Sequence, residues 1–217
     1  MKLKLLLATA SLLVSSLSQA TGNQAQFKVT VTNLTQAQAF TPILVSSHRW
    51  GVHIFNLGEP ASTDLAALAE GGDIAPLQSS LMNDHRVIDT NSSEGLLEPG
   101  KSVSILVKAP HKARRISLAS MLIPTNDSFI ALDNVAVPRG HGKRTYWVPA
   151  YDAGSETNDE LCLNIPGPVC GGAGGSPESD GEGFVHISNG IHGQGDLNAG
   201  VYDWRNPAAR VTIQRMK

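Results

Sequence analysis

The chain has 217 residues, with 17 Lys and Arg against 19 Asp and Glu and a formal net charge of −2. No basic excess is present to hold a phosphate backbone, which argues against nucleic acid as a partner. The length suits one domain with a substantial core. The N-terminus reads as a signal peptide over residues 1–20: a basic Met1-Lys2-Leu3-Lys4, an apolar run from Leu5 to Val14, and a small-residue ending at Ala20. Residues 21–217 then form the working domain, secreted or periplasmic, and no later segment is apolar over the length a membrane span requires.

Phe27 to Thr32 alternates apolar and polar residues and predicts a half-buried strand; Pro42 to Ser46 predicts a second. Ser62 or Thr63 caps a short helix through Leu65, Leu68 and Ala69, ended by Gly71-Gly72. Asp73 caps another, with Pro76 in its first turn, reaching about Met82. Strands follow over Ser102–Lys108 and Arg115–Ile123, the latter with a register slip that predicts a bulge at Ala119-Ser120. Phe129–Leu132, Tyr146–Val148, Phe184–Ser188 and Arg210–Arg215 supply further strands. Strands without regular intervening helices predict an all-β, antiparallel β-sandwich with one or two short helices in an early connection. Trp147 and Trp204 are expected in its core, whereas Trp50 sits in an early loop.

Gly167 to Gly183 is dense in Gly, Pro, Ser and acid and builds no core. Its run Gly171-Gly172-Ala173-Gly174-Gly175 follows no strand and lacks the Lys-Ser/Thr ending of a phosphate loop, so it reads as a surface loop. Cys162 and Cys170 are the only cysteines. An even pair in an exported chain, separated by turn formers, predicts a disulfide that shapes its own loop. Asn33, Asn91 and Asn126 begin Asn-x-Ser/Thr triplets, relevant only in a glycosylating host.

The stretch "YDAGSETNDE", Tyr151 to Glu160, places Asp152, Glu156, Asp159 and Glu160 within nine residues of a chain that is 17% charged. A solvated acidic loop is the plain explanation. The alternative joins it to Pro124-Thr125-Asn126-Asp127-Ser128, a second oxygen-rich loop. If both loops leave the same end of the sandwich, Asp127 and Asp152 face each other. Their repulsion is then relieved by a divalent cation, most naturally Ca2+, which accepts six to eight oxygens in irregular geometry. Glu156 or Asp159 would add a further carboxylate, Gly154 permitting the tight turn. The spacing is not that of the twelve-residue helix-loop-helix calcium loop. A catalytic reading finds neither a Gly-x-Ser-x-Gly elbow nor a His-Glu-x-x-His pair. Paired carboxylates suit a glycosidase, but aromatics for sugar stacking make up only 5%. Of the seven histidines, only His186 and His192 are close, beside Asp196. The loop Ser188 to Gly200 is turn-rich and available to the acidic end.

"SMLIPTNDSF" (Ser120–Phe129), "YDAG" (Tyr151–Gly154) and "ARVTIQR" (Ala209–Arg215), in that order, resemble the spondin N-terminal domain of the F-spondin and mindin type, in a stand-alone exported form. The resemblance runs from about Phe27 to Met216. It implies a sandwich like that of C2 domains, with a calcium-type site at one end whose ligands match Asp127 and Asp152. A third ligand, a Glu on a preceding strand, falls on Lys108 by gapless counting, so Glu156 or Asp159 is its candidate replacement. The resemblance also implies a non-enzymatic, adhesive role toward an extracellular or cell-envelope protein or glycan. A metal-dependent hydrolase acting on envelope or extracellular polymers is the competing expectation.

Overall fold

A computed structural model describes residues 25–110, 114–175 and 180–216. The expected signal peptide, residues 1–20, lies outside the described residues. Two antiparallel sheets face each other. The four-stranded sheet has the order β5 (Ser102–Lys108), β1 (Gln26–Asn33), β11 (Ala209–Arg215), β8 (Lys143–Val148). The seven-stranded sheet runs β10 (His186–Ile187), β9 (Ala150–Asp152), β7 (Ser128–Ala136), β6 (Arg115–Ile123), β3 (Leu44–His48), β4 (Val87–Ser92). β2 (Ala39–Phe40) pairs with β6. The all-β sandwich read from the sequence is the fold observed.

Alternation decides the first sheet. Phe27, Val29 and Val31 on β1, Ile105 and Val107 on β5, and Val211 and Ile213 on β11 all point inward and are buried. They meet Ile116, Leu118, Leu122 and Ile130 of the facing sheet. Polar residues between them face solvent, as in Thr30 and Thr32, whose hydroxyls each lie 2.8 Å from those of Ser104 and Ser102 across the strands.

The second sheet is covered on both faces. Its outer face carries α1 (Thr63–Gly71) and α2 (Ala75–Asn83), which seal Leu65, Leu68, Leu77 and Leu81 against Leu44, Ala119, Phe129 and Ala131. Double coverage is why β6 is buried from Ile116 to Ile123 and shows no clean period of two. The register irregularity lies between Ile116 and Leu118 against β7, not at Ala119-Ser120 as expected. There Ser117 Oγ meets His48 Nε2 at 2.9 Å and accepts the Asn134 N–H at 2.8 Å. The apparent slip at Ala119-Ser120 reflects the second buried face.

α1 is capped as its sequence predicts. Ser62 Oγ accepts the Leu65 N–H at 3.2 Å, and Gly72 ends the helix in the left-handed conformation at φ 70°. For α2 the expected cap is corrected: its N-cap position is Ile74, which makes no side-chain cap, and Asp73, one residue earlier, accepts the Ala75 N–H on Oδ1 at 2.9 Å. β4, with the polar sequence Val87-Ile88-Asp89-Thr90-Asn91-Ser92, was not predicted; it is an edge strand held by β3. Trp204 is buried, but Trp147 is 60% exposed, a correction to its expected place in the core. The register of β8 against β11 turns its neighbours Tyr146 and Val148 inward and sends Trp147 out.

Cys162 and Cys170 form a disulfide with Cα atoms 4.6 Å apart, closing a loop that begins with a 3-10 turn over Cys162–Asn164. Among the described residues no helix is long and apolar enough to cross a membrane.

Candidate metal centre

β7 and β9 are adjacent and antiparallel, with Ser128 opposite Asp152. Asp127 therefore ends its loop beside the last residue of β9, and its carbonyl accepts the Ala153 N–H at 3.2 Å. The chain then doubles back over the Asp127 side chain. Asp127 Oδ2 accepts the N–H groups of Ser155 at 2.8 Å and Glu156 at 3.0 Å. Asp152 holds the turn from the other side, Oδ1 accepting the Gly154 N–H at 2.9 Å and Oδ2 the Asn158 amide at 3.0 Å. Gly154 has φ 63°, and a Cβ there would sit 2.3 Å from the Phe184 carbonyl oxygen. Only glycine fits both constraints.

That close approach brings in a later segment. Gly183 N–H donates to the Gly154 carbonyl at 2.8 Å, and β10 pairs His186 with Asp152. His186 Nε2 lies 3.4 Å from Asp152 Oδ1 and 3.5 Å from Glu182 Oε2. Ligand-capable atoms of Asp152, Glu182 and His186 all fall within 4.8 Å of one another. His186 Nδ1 lies 3.0 Å from the Ile187 carbonyl, an arrangement that turns Nε2 toward the carboxylates.

The electrostatics of this rim are unfavourable as it stands. Asp127, Asp152 and Glu156 are each at most 1% exposed. Burial, with the nearby Asp152 charge, pushes the Asp127 carboxyl up to about 8, against the pull of the Glu156 and Ser155 N–H groups. Burial also raises Asp152, despite the Gly154 N–H, His186 and Asn158. For His186 burial acts against the charged form, but the Ile187 carbonyl, Asp152 and Glu182 outweigh it and raise its pKa. Asp127 Oδ1 is buried without a hydrogen-bond partner. Among the described residues only Asp152, Glu182 and His186 bring ligand atoms within 4.8 Å of one another, so Asp127 and Glu156 border that group without joining it; buried carboxylates of this kind, one with an unsatisfied oxygen, suit a divalent cation.

The other acids of the stretch are engaged elsewhere. Asp159 Oδ1 accepts the Asn126 amide at 3.0 Å and the Leu161 N–H at 2.9 Å, and Oδ2 accepts the Asn164 amide at 2.6 Å. It ties the Asn126 loop to the disulfide loop instead of turning into the rim. Glu160, 2% exposed, receives the backbone N–H groups of His192, Gly193 and Gln194 at 2.6–2.9 Å. The loop from Ser188 thus does reach the acidic end, as a bed of N–H groups for Glu160. Asp196 Oδ2 accepts the Cys162 N–H at 2.9 Å, and His192 Nε2 faces the Asn189 carbonyl at 3.2 Å. His186 and His192 do not share a site. Glu182 was missed from the sequence because it lies in the Gly167 to Gly183 segment, read only as unable to build core. Lys108 lies on β5, its N–H bonded to Asp89 Oδ2 at 2.7 Å.

A two-sheet antiparallel sandwich with buried carboxylates where two strand ends and their loops converge defines a loop-site β-sandwich domain. Within that class, residues 23–159 match the family model described as Spondin_N, and the chain belongs to the spondin N-terminal domain family. That family is generally non-enzymatic, and the family together with the disulfide suggests an extracellular location. No curated protein matches the chain. Asp127, Asp152, Glu156 and Asp159 lie inside the matched range; the disulfide, Glu182, His186 and β11 lie beyond it.

Proposed function

We propose that this protein is an exported, non-enzymatic spondin-type domain. Its carboxylate rim holds one calcium-type cation, and the loops so ordered bind an extracellular or cell-envelope protein or glycan. Asp127, Asp152 and Glu156 would supply carboxylate oxygens, with Glu182 and His186 at the outer edge. The observation that carries this reading is Asp127: fully buried, pushed up to about 8 beside Asp152, with Oδ1 unpartnered. A bound ion would cross-link the loops after β6 and β9 and add positive charge beside the buried carboxylates. Binding to the folded state alone raises stability by about 2.7 kcal/mol at a ligand concentration of 100 Kd. Calcium is therefore expected to raise the melting temperature and EDTA to lower it, and Asp152→Ala removes that increment. A melting curve indifferent to both calcium and EDTA refutes the reading.

His186 favours a second occupant. An imidazole Nε2 beside two carboxylates suits Zn2+ or Mn2+ better than a ligand set made of oxygen alone. Zinc stabilisation that exceeds that of calcium, and that His186→Ala abolishes, would establish it. The hydrolase reading draws less support. Buried His48 and Ser117, with the half-buried Asp133, clasp the β6 irregularity: Ser117 donates to the Asp133 carboxylate, while His48 Nδ1 faces the Arg49 carbonyl at 2.7 Å. A nucleophilic triad has the acid on the histidine. Turnover of an envelope glycan or ester by the metal-loaded protein would reinstate that reading.

A further inference from the structure

The opposite end of the sandwich is basic. β6 and β7 are nine residues each and run between the two ends, β6 from Arg115 toward Asp127 and β7 from beside Asp127 to Ala136. At about 3.3 Å per residue the ends lie roughly 30 Å apart. Arg115 and Ala136 pair across these strands and border a cavity of about 580 Å³. Five of the nine arginines in the chain line it: Arg114, Arg115, Arg139, Arg144 and Arg215. No Asp or Glu is among its described lining residues.

Four of these guanidinium groups, Arg115, Arg139, Arg144 and Arg215, enter no ion pair among the described residues. Two of them, Arg115 and Arg144, are held by internal contacts that do not neutralise them. Arg115 Nη1 donates to the Asn134 carbonyl at 3.0 Å and its guanidinium lies 4.5 Å over the Trp50 ring. Arg144 Nη1 donates to the Ala136 carbonyl at 3.3 Å. Arg115, Arg144 and Arg215 stand on strands β6, β8 and β11, so their spacing is fixed before any ligand arrives. The floor residues Phe27 and Val137 are nearly buried, at 3% and 8% exposure, so charge dominates what the cavity offers.

Arginine presents a planar fork of donors that matches phosphate and sulfate oxygens two at a time. Several forks around one concave space match a ligand with two or more such groups, and the volume is that of a small-molecule site. A concavity of this size admits a discrete molecule, whereas a flat bilayer or a duplex meets only its lip. We propose that this pocket binds a compact polyanion, a phosphorylated or sulfated molecule of about saccharide size, independently of the cation rim at the other end.

The test is calorimetric titration of the purified protein with inositol hexakisphosphate and with sucrose octasulfate at about 0.15 M salt. A parallel arm uses vesicles containing phosphatidylglycerol. Binding is expected to weaken as salt rises. It should also weaken by at least about tenfold in the double variant Arg139→Ala/Arg144→Ala, both exposed and outside the core. Arg210→Ala, exposed on β11 outside the pocket, should leave it unchanged, as should EDTA and Asp152→Ala. A preference between the two probes tells phosphate from sulfate, and either supports the site. Silence from both probes, equal binding by the double variant, or binding to vesicles alone overturns it.

Discussion

The most exacting prediction concerns pH in metal-free protein. The Asp127 carboxyl is pushed from an ordinary value of 3.8 up to about 8 by burial and by the Asp152 charge. Between those limits the folded state keeps a proton that the unfolded chain has released, so stability falls as pH rises. Each pH unit is worth about 1.4 kcal/mol. From pH 5 to pH 8 the loss is therefore about 4 kcal/mol, a large share of the roughly 5–15 kcal/mol of a typical domain. Asp152, also raised, acts in the same direction. So does His186: its raised pKa contributes stability below the usual histidine value, and this is lost as pH rises through the folded-state value. Urea unfolding in chelator at both pH values measures the slope. Saturating calcium should flatten it, because the ion requires the ionised rim that alkaline pH creates. Asp127→Asn should make it shallower without metal, because the Asp127 proton is gone and only the contributions of Asp152 and His186 remain. Metal-free stability that is level across this range, or that rises with pH, would refute the electrostatic account of the rim.

Gly154→Ala is expected to cost about 1–3 kcal/mol by urea unfolding and to abolish calcium stabilisation, since the backbone conformation and the Phe184 carbonyl both oppose a Cβ. Cys162→Ser/Cys170→Ser should lose about 2–3 kcal/mol, the loop-closure value for a short loop, while keeping the calcium increment. Phe129→Ala, which opens the cluster with Phe55 and Tyr151 under α1, should cost about 3–5 kcal/mol, whereas Trp147→Ala should change unfolding by less than about 0.5 kcal/mol.

The strands legible in the sequence are those with one wet face. β1, β5 and β11 alternate cleanly because the four-stranded sheet is packed on one side only. β6 carries two interleaved apolar sets, one for each core, and a single-face reading turned that surplus into a bulge at the wrong residue. β4 escaped notice because an edge strand in a polar sequence is specified by its neighbour. At the rim, Asp127 and Asp152 were legible through the quoted motifs. The division of labour among Glu156, Asp159 and Glu160 was not, because it depends on which backbone N–H groups fold back over each carboxylate. The near-neutral net charge also hid a local segregation of sign: the rim carboxylates Asp127 and Asp152 stand at one end of β6 and β7, and five arginines line the pocket at the other. A sum over the chain carries no information about that distribution.

The segment after residue 159 is structurally inseparable from the matched part of the chain. β11 lies between β1 and β8, so without it the four-stranded sheet has no continuous core-facing surface. At the rim the dependence is closer still. A Cβ on Gly181 would meet the Gly154 carbonyl oxygen at 2.4 Å and the Glu156 nitrogen at 2.8 Å, and one on Gly154 would meet Phe184. The two backbones therefore interlock at glycines on both sides, and the strand that follows seats His186 against Asp152. The Gly-rich composition that marks this stretch as unable to build core is what allows it to lie directly on the loop that encloses Asp127. Its contribution is close backbone approach, which leaves no hydrophobic trace in the sequence and brings the His186 imidazole against the rim.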